Sequence, residues 1–297
     1  MKGTRVAVIG KGRWGKRIAA TLQTLPECAV SYIVSRDYKK LLKKKDIDAV
    51  IVATPSKTHA TIALPFIQKN IPTFIEKPLA TSMKNALRLL RATRKNKTIV
   101  FVGHTQLYNP AYQTTKRLLK TLGNIHSVTT EGGNHSPEKD VSVLWEWGPH
   151  EVYVALDLFG SKPRHVQAWS IQKDKTVCMR LAFKHTTIFT MNSWEFGEKR
   201  RRVVINGARG SIVFDDIQDK KVTLYRNSKT SGKLKISYPS YAKALPLTLE
   251  LKAFLHSVRT KTQPKTGIQN GLDVVHILES AEKSILNNGS PVSIGIS

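Results

Sequence analysis

The sequence predicts two parts of different fold class, an α/β part with a parallel sheet followed by an α+β part. Three observations support this. A glycine-rich turn joins an apolar run to a helix-like run at residues 5–25, short strands and helices alternate up to about residue 103, and strands then cluster without such alternation. Alternation is typical of a parallel sheet covered on both faces, whereas strands grouped between helices are typical of an α+β domain.

The first part contains five predicted strands and four predicted helices. Apolar runs predict strands at 5–9, 29–34, 49–52, 73–75 and 98–102. The runs between them predict helices at 13–25, 38–43, 58–69 and 82–95. Ligands bind such sheets at the carboxyl ends of the strands, so the residues that follow each strand are the first candidates for a site.

The first predicted strand ends in a glycine motif. Gly10, Gly12 and Gly15 have the spacing Gly-x-Gly-x-x-Gly, and Arg13 and Trp14 begin the helix that follows. The first glycine allows a tight turn, the second a close approach to a pyrophosphate, and the third close packing of helix on strand. Free N–H groups at the helix N terminus favour phosphate. The sequence predicts a Rossmann dinucleotide site here; a glycine-rich turn without a ligand is the alternative.

The end of the second predicted strand bears on cofactor choice. It is followed by Ser35, Arg36 and Asp37. An acid at the strand end binds the ribose 2′-hydroxyl of NAD, whereas arginine favours the 2′-phosphate of NADP. Because Ser35 and Arg36 hold the deciding positions, the sequence favours NADP, with NAD possible. The alternative is that Arg36 is a surface residue at a helix start.

The turns after the third and fourth strands supply further candidates. Thr54 and Pro55 follow the third strand, and His59 lies at the start of the next helix. Glu76-Lys77-Pro78 follows the fourth strand. A lysine beside a carboxylate and stiffened by proline is a candidate acid or base, although most such tripeptides are surface turns. We expect Thr54, Pro55, His59, Glu76 and Lys77 to line the cofactor.

The second part is predicted from residue 124 onward, with a domain boundary near Gly123-Asn124 that gives domains 1–123 and 124–297. Strands are expected at 125–132, 164–171, 176–183, 186–194, 202–205 and 211–214, and helices at 149–159 and 247–258. The basic run 199–202 leads into one of these strands, and we expect it at a sheet rim or edge, where charges deter pairing. Residues 227–244 are polar and predict a hairpin or excursion.

The net charge of +27 is unusual for a chain of 297 residues. It raises the question of a nucleic-acid or anionic-surface partner. The basic runs are dispersed along the chain, which favours solvated helix faces, and we expect no nucleic-acid partner. A third interpretation is a positive field that attracts a polyanionic small molecule.

Composition also limits the compartment and the chemistry. No apolar run approaches the length of a membrane span, and the N-terminal strand leaves no room for a signal peptide, so we expect no membrane partner. Cys28 and Cys178 lie far apart, and the histidines are scattered without ligand spacing. The sequence therefore predicts a cytoplasmic protein without a metal site.

A set of motifs follows one order along nearly the whole chain. The motifs are Val8-Ile9-Gly10-x-Gly12-x-x-Gly15, 48–55 with His59, Glu76-Lys77-Pro78, Val102-Gly103-His104, 108–112, 145–150, Thr266-Gly267, the helix 272–286 and Pro291-Val292. This set resembles the glucose–fructose oxidoreductase/inositol dehydrogenase family, written Gfo/Idh/MocA.

The resemblance implies an NAD(P)-dependent oxidoreductase that transfers a hydride between nicotinamide and a sugar-type hydroxyl or carbonyl group. It implies a C-terminal domain whose open, mostly antiparallel sheet forms the substrate wall and usually the subunit interface, so a homodimer or homotetramer is expected. The last helix is expected to pack back toward the N-terminal domain. A non-catalytic redox sensor or scaffold that binds a dinucleotide is the alternative.

The resemblance assigns catalytic roles to three residues. Lys77 and His150 match the family lysine and histidine that point at the substrate hydroxyl, and Glu146 stands where the family has aspartate. Pro149 suits the first turn of a helix, so we expect His150 in that turn and Glu146 in the loop before it. A helix N terminus favours the neutral imidazole that a base requires.

Two departures concern the substrate. Tyr153 replaces a second family acid, and Leu107 replaces a family arginine. The 103–110 segment, with Asp140 and the motif around Glu146, looks like members that act on nucleotide-linked or other decorated sugars in glycan biosynthesis. The predicted substrate-binding residues are Tyr108, Asn109, Trp147 and Tyr153. For Trp147, the sequence leaves two alternatives, a position in the wall of the pocket or in the protein core.

Overall fold

The computed structural model describes residues 3–135, 141–172, 174–227 and 234–295. The chain divides into two compact units, Met1–Tyr108 with Ala244–His276, and Asn109–Lys243 with Ile277–Ser297. This division differs from the boundary expected near residue 123. The helix after Tyr108 belongs to the second unit, because Tyr112 lies edge-on to Phe214 with ring centroids 5.9 Å apart.

The helices and strands of the described chain are as follows. The strands are β1 Thr4–Ile9, β2 Cys28–Val34, β3 Ala49–Val52, β4 Thr73–Glu76, β5 Val100–Gly103, β6 Ile125–Gly133, β7 His165–Ile171, β8 Thr176–Ala182, β9 Thr187–Ser193, β10 Arg200–Gly207, β11 Gly210–Asp215, β12 Val222–Asn227, β13 Leu234–Ser237 and β14 Val292–Ser293. The α-helices are α1 Arg13–Gln23, α2 His59–Gln68, α3 Met83–Asn96, α4 Pro110–Leu118, α5 Val143–Glu146, α6 Gly148–Phe159, α7 Pro246–Thr260 and α8 Ile268–Leu286. Short 3₁₀ turns lie at Tyr38–Lys43, Ser56–Thr58, Thr105–Tyr108 and Leu119–Thr121.

In the first unit, five strands of the described chain form a parallel sheet in the order β2-β1-β3-β4-β5. This order confirms the predicted α/β class. Both neighbours of β1 run parallel to it, so the glycine turn, the turn after β2 and the turn after β3 lie at one edge of the sheet. The predicted helix at 38–43 is a 3₁₀ helix.

The core of the first unit joins residues that are distant in sequence. Val8, Ile51, Phe74 and Phe101 from the sheet are fully buried, and so is Phe254 from α7. The ring of Phe254 lies 5.5 Å from that of Phe74 and 5.7 Å from that of Phe101. This packing places the segment 244–276 in the first unit.

In the second unit, nine strands of the described chain form one sheet in the order β13-β12-β11-β10-β6-β9-β8-β7-β14. Neighbouring strands are antiparallel except for β6 and β9. With α4, α5 and α6, this sheet confirms the predicted α+β class. Strands β12 and β13 pair from Asn227 and Leu234, so the hairpin expected at 227–244 begins there, with 228–233 outside the described residues.

The basic run 199–202, expected at a sheet rim or edge, lies where strand β10 begins, but β10 is not an edge strand. Strand β10 pairs with β6 on one side and β11 on the other. Arg202 stands opposite Glu131 on one neighbour and opposite Asp215 on the other. Acids on both neighbours offset the basic charge, which allows it inside a sheet.

Within the described ranges, no helix has both the length and the apolar character needed to cross a bilayer.

Candidate functional site

In the glycine turn, close backbone packing requires glycine at Gly10 and Gly15 but not at Gly12. Gly10 has φ +128°, and a Cβ on it would lie 2.1 Å from the Ala53 carbonyl oxygen. A Cβ on Gly15 would lie 2.1 Å from the Gly10 carbonyl oxygen. A Cβ on Gly12 would meet no described atom within 4 Å, and its φ of −69° suits any residue. Gly12 therefore leaves open space at the start of α1, where a pyrophosphate fits.

A hydrogen bond joins the glycine turn to the Glu-Lys-Pro motif. Trp14 donates its indole Nε1–H to Glu76 Oε1 at 2.6 Å, and Glu76 Oε2 accepts the Lys77 backbone N–H at 3.2 Å. Burial raises the pKa of Glu76, while the Trp14 bond and the charge of Lys77 lower it. The start of α1 and the end of β4 are therefore held together by one carboxyl group.

Lys77 follows β4 directly, at a cis Lys77–Pro78 peptide bond. Its charge acts on two buried histidines, His59 and His104. Burial and then this charge lower the pKa of His104 to about 3, so its imidazole is neutral at physiological pH. Lys77 therefore lies among one carboxyl group and two imidazoles, the surroundings that tune an acid or base.

His59 lies between two turns. Its side chain is buried, with Nδ1 2.8 Å from the Pro78 carbonyl oxygen and Nε2 2.8 Å from the Thr54 carbonyl oxygen. Burial lowers the pKa of His59, which favours a neutral ring that donates one of these bonds. Both nitrogens face backbone, so the ring connects the turns after β3 and β4. The geometry favours this supporting position over direct contact with a cofactor.

The remaining predicted cofactor residues lie at the same edge of the sheet. The Thr58 hydroxyl is 2.8 Å from Thr54 Oγ1 and 2.6 Å from the Pro55 carbonyl oxygen. Ser35 and Arg36 are exposed directly after β2. The last residue of β2, Val34, accepts the Gly10 N–H at 2.8 Å, so the turn that holds Arg36 adjoins the glycine turn.

Sequence reasoning missed Glu250, a fully buried residue of α7. Its Oε2 accepts the Thr105 hydroxyl at 2.6 Å, and among the described residues its Oε1 has no hydrogen-bond partner. Burial, and then the negative charge of Glu76, raise its pKa well above the usual value. The available signal was an acid within the apolar pattern of α7, between Leu247 and Leu251.

Tyr108, predicted to bind substrate, belongs to the first unit. Its hydroxyl lies 3.3 Å from Thr266 Oγ1, and its ring stacks on Phe101 with centroids 5.9 Å apart. The side chain is half-buried. The hydroxyl group of Tyr108 therefore lies beside Thr266.

Four other predicted residues lie on two consecutive helices of the second unit or, for Trp147, between those helices. His150 is in the first turn of α6, as expected from Pro149. Glu146 is not in a loop, because its N–H donates to the Ser142 carbonyl oxygen at 3.1 Å and it ends the single helical turn α5. The rings of Trp147 and His150 lie 5.8 Å apart. Trp147 and Tyr153 are buried.

Asn109 serves the start of α4. Its Oδ1 accepts the Ala111 N–H at 3.0 Å, and its Nδ2 donates to Asp216 Oδ1 at 2.8 Å. Both ends of the amide are therefore engaged within the protein, which favours a structural position over the predicted substrate contact. Asp140, which the sequence comparison also singled out, lies outside the described residues.

Sequence reasoning also missed Glu151, which follows His150 and is buried. A Cβ on Gly132 of β6 would lie 2.3 Å from Glu151 Oε1, so the carboxyl group occupies the space that this glycine leaves. Burial raises the pKa of Glu151 to about 7, against the opposing effects of Thr130 and Arg201. Its proximity to His150 was the available signal.

Glu151 predicts a pH-dependent stability. Its pKa is about 7 when folded against 4.5 as the ordinary value, so the unfolded chain releases the proton first as pH rises. The protein should lose up to about 3 kcal/mol of unfolding free energy between pH 4.5 and pH 7.5 from this group. Glu151→Gln should remove that loss. In thermal unfolding, the stability of the variant relative to the native protein should therefore increase as pH rises. A difference independent of pH would contradict the assignment.

In the first unit, the structure therefore brings together Gly10, Gly12, Arg13, Trp14, Gly15, Thr54, Glu76 and Lys77. The second unit by itself groups Glu146, Trp147 and His150, with Tyr153 further along α6.

Known proteins are similar to this chain in sequence and in fold. A family model described as an oxidoreductase family with an NAD-binding Rossmann fold, GFO_IDH_MocA, matches residues 25–104. Inositol 2-dehydrogenase 2 of Saccharopolyspora erythraea is 29% identical over 168 residues, which cover 54% of this chain and 48% of that protein. The match thus spans about half of that relative's length.

Solved structures match over nearly the whole chain. A protein of Magnetospirillum magnetotacticum MS-1, described in general terms as an oxidoreductase, is 31% identical with a TM-score of 0.86 over 94% of this chain and 99% of its own. The UDP-N-acetylglucosamine 3-dehydrogenase GnnA of Acidithiobacillus ferrooxidans is 19% identical with a TM-score of 0.85 over 96% and 98%. The second likeness shows a common fold. From motifs, fold and relatives together, the chain belongs to the Gfo/Idh/MocA family of oxidoreductases, whose N-terminal domain is an NAD-binding Rossmann fold.

Proposed function

We propose that the protein is an NAD(P)-dependent dehydrogenase or reductase that acts on a CH–OH or carbonyl group of a sugar-type small molecule. The observation that supports this best is the 2.6 Å bond from Trp14 to Glu76, because it couples the dinucleotide turn to Lys77. An oxidoreductase of this kind needs the cofactor and a proton-transferring group at one place. The inositol and sugar-nucleotide dehydrogenases among its relatives support the substrate class.

In this proposal the bound nicotinamide supplies the hydride chemistry. The N–H groups at the start of α1 bind the pyrophosphate, and Gly12 gives it room. Lys77 exchanges the proton of the reacting hydroxyl through its Nζ. Glu76 fixes the backbone of Lys77 and supplies a counter-charge, while the neutral rings of His59 and His104 add no further positive charge.

The residues of the second unit have roles in this proposal that rest on the family resemblance. His150 is assigned to the substrate hydroxyl, and its place in the first turn of α6 favours the neutral imidazole that accepts a proton. Glu146, Trp147 and Tyr153 are assigned to substrate binding or to the orientation of His150. Proton transfer is assigned first to Lys77, because the side chains on which its charge acts, Glu76, His59 and His104, belong to the same unit.

Arg36 supports a preference for NADP over NAD. Its exposed guanidinium adjoins the glycine turn, where it suits a 2′-phosphate. Arg36→Ala should weaken NADPH binding by about tenfold or more and leave NADH binding within about twofold. Fluorescence titration of both cofactors measures this, with Arg91→Ala on the exposed part of α3 as the control. Equal losses for NADPH and NADH would count against the assignment.

The uncovered face of the second sheet supports a homo-oligomer. Trp169, Cys178 and Met191 are consecutive partners across β7, β8 and β9, and Phe189 lies on the same face. Trp169, Phe189 and Met191 are 42%, 48% and 37% exposed. A contiguous apolar sheet face is typical of a surface that associates with a second copy.

Phe189→Glu combined with Met191→Glu should convert the oligomer to monomer, because two charges would be buried at the interface. Light scattering after size exclusion measures the mass, and Leu286→Glu at the exposed end of α8 is the control. A monomeric native protein, or a doubly substituted protein of unchanged mass, would disprove this interface.

A further inference from the structure

We propose that Arg201 binds an anionic oxygen group of the substrate, a carboxylate or a phosphate, and thereby determines specificity for acidic or phosphorylated sugars. This inference rests on the proposed function, since it refines the substrate class of the same enzyme. It concerns the second unit alone, where the guanidinium and the candidate base His150 lie against one indole ring.

The position of Arg201 in β10 distinguishes it from the two arginines beside it. Side chains alternate across a strand, and Val203 and Ile205 are buried, so Arg201 points with them to the covered face of the sheet. Arg200 and Arg202 point to the other face. Of the three arginines that begin β10, Arg201 is therefore the one on the same face as Val203 and Ile205, and it lies against Trp147.

Arg201 and His150 contact the same side chain. The Arg201 Cζ atom lies 5.7 Å from the centroid of the Trp147 ring, and the His150 ring lies 5.8 Å from it. An indole between a guanidinium and an imidazole is a suitable platform for a sugar ring, because its face packs on C–H groups while polar groups reach its edges. A sugar with its reacting hydroxyl at His150 can extend a second substituent toward Arg201.

Two hydrogen-bond donors beside this indole have no partner among the described residues. They are the buried Arg201 Nε–H and Trp147 Nε1–H, and Trp147 is 91% buried. Buried donors without acceptors are costly and are rare in native proteins. An acceptor-rich anion would satisfy such donors, and the Arg201 side chain is 27% exposed, so part of it is open to solvent.

The charge balance around Arg201 also favours an anion. Arg201 Nη1 forms an ion pair with Asp216 Oδ2 at 3.5 Å, a long separation for a hydrogen bond. The same carboxylate is 2.7 Å from Lys221 Nζ and 2.8 Å from Asn109 Nδ2, so its charge is shared. Arg201 also acts on Glu151, whose pKa of about 7 leaves it partly neutral at physiological pH. The guanidinium thus shares the counter-charge of Asp216 with Lys221.

The test compares three probes, D-glucuronate, D-glucose 6-phosphate and D-glucose, by calorimetric titration of the full chain with and without NADPH. The native protein should bind at least one anionic probe about tenfold or more tightly than glucose. Arg201→Met, which removes the charge and keeps an unbranched side chain, should abolish that preference and leave glucose binding within about twofold. Arg202→Met, on the same strand and the opposite face, should behave like the native protein.

The outcomes separate this inference from the proposed function. A loss confined to glucuronate identifies a carboxylate site, and a loss confined to glucose 6-phosphate identifies a phosphate site. Equal binding of charged and neutral probes by the native protein, no binding of either anion, or an equal loss for all probes in Arg201→Met would overturn the inference. Cofactor-dependent turnover is measured separately on the same protein. Turnover of neutral sugars without an anion preference would leave the proposed function standing, and an Arg201-dependent preference without turnover would leave only this inference standing.

Discussion

Lys77→Met should lose turnover by about 10²-fold to 10⁴-fold, the range that a positioned acid or base contributes, and should keep cofactor affinity within about twofold. Methionine has a similar length and no titratable group, so it removes the proton-transferring atom and retains the packing. The bond from Trp14 to Glu76, which connects the turn to β4, does not involve the Lys77 side chain. Steady-state rates and NADPH titration measure the two effects separately.

The control is Lys84→Met, an exposed lysine of α3 that should change neither quantity. A fully active Lys77→Met would show that the proton passes through another group. A variant that loses cofactor affinity in parallel with turnover would show that Lys77 holds the dinucleotide instead of serving the reaction.

Gly10→Ala and Gly12→Ala should separate folding from cofactor binding. At Gly10 the added Cβ would lie 2.1 Å from the Ala53 carbonyl oxygen, at a φ of +128° that alanine disfavours. We expect a loss of about 3 kcal/mol or more in unfolding free energy. At Gly12 the added Cβ meets no described atom within 4 Å, so stability should change by less than about 0.5 kcal/mol.

Cofactor binding, measured per folded molecule, should be weakened more by Gly12→Ala than by Gly10→Ala. Gly12→Ala should weaken NADPH binding by about 100-fold, since the methyl group fills the space needed for close approach of the pyrophosphate. Thermal unfolding and fluorescence titration on the same samples measure both effects. A stable Gly12→Ala protein that binds NADPH normally would exclude the glycine turn as the phosphate site.

The parts of the fold that were predicted correctly are those indicated by patterns within short stretches of sequence. The spacing of Gly10, Gly12 and Gly15 and the alternation of strands with helices depend on neighbouring residues, and both were confirmed in the first unit. Helix α4 is not among the predicted helices, although Asn109 caps it and Pro110 occupies its first turn. In the sequence, this segment is interpreted as part of a family motif. The single turn α5 was missed because it is too short for a periodic pattern.

The errors arise where distant residues decide the outcome. Strand β10, which begins within the basic run 199–202, is an inner strand of its sheet, and Glu131 and Asp215 stand across from Arg202. The segment 244–276 belongs to the first unit because Phe254 packs on Phe74 and Phe101. Neither pairing leaves a local pattern in the sequence, so neither can be deduced from composition or periodicity.

The same limit applies to the candidate site. Lys77 and Glu76 were predicted because a motif surrounds them. Glu250 and Arg201 were not, since their importance depends on partners from other elements, Thr105 and Trp147. His59 was predicted from its motif, but only the geometry shows that its two ring nitrogens face backbone carbonyl groups.

The most direct test of the proposed function follows the hydride itself. The protein is incubated with NADPH carrying deuterium at C4 of the nicotinamide and with a panel of keto sugars and keto sugar nucleotides, and products are analysed by mass spectrometry. If the protein catalyses hydride transfer, we expect the native protein to transfer deuterium to carbon in at least one compound and Lys77→Met to transfer none. Tight NADPH binding by the native protein without deuterium in any product would contradict it and indicate a dinucleotide-binding protein without redox catalysis.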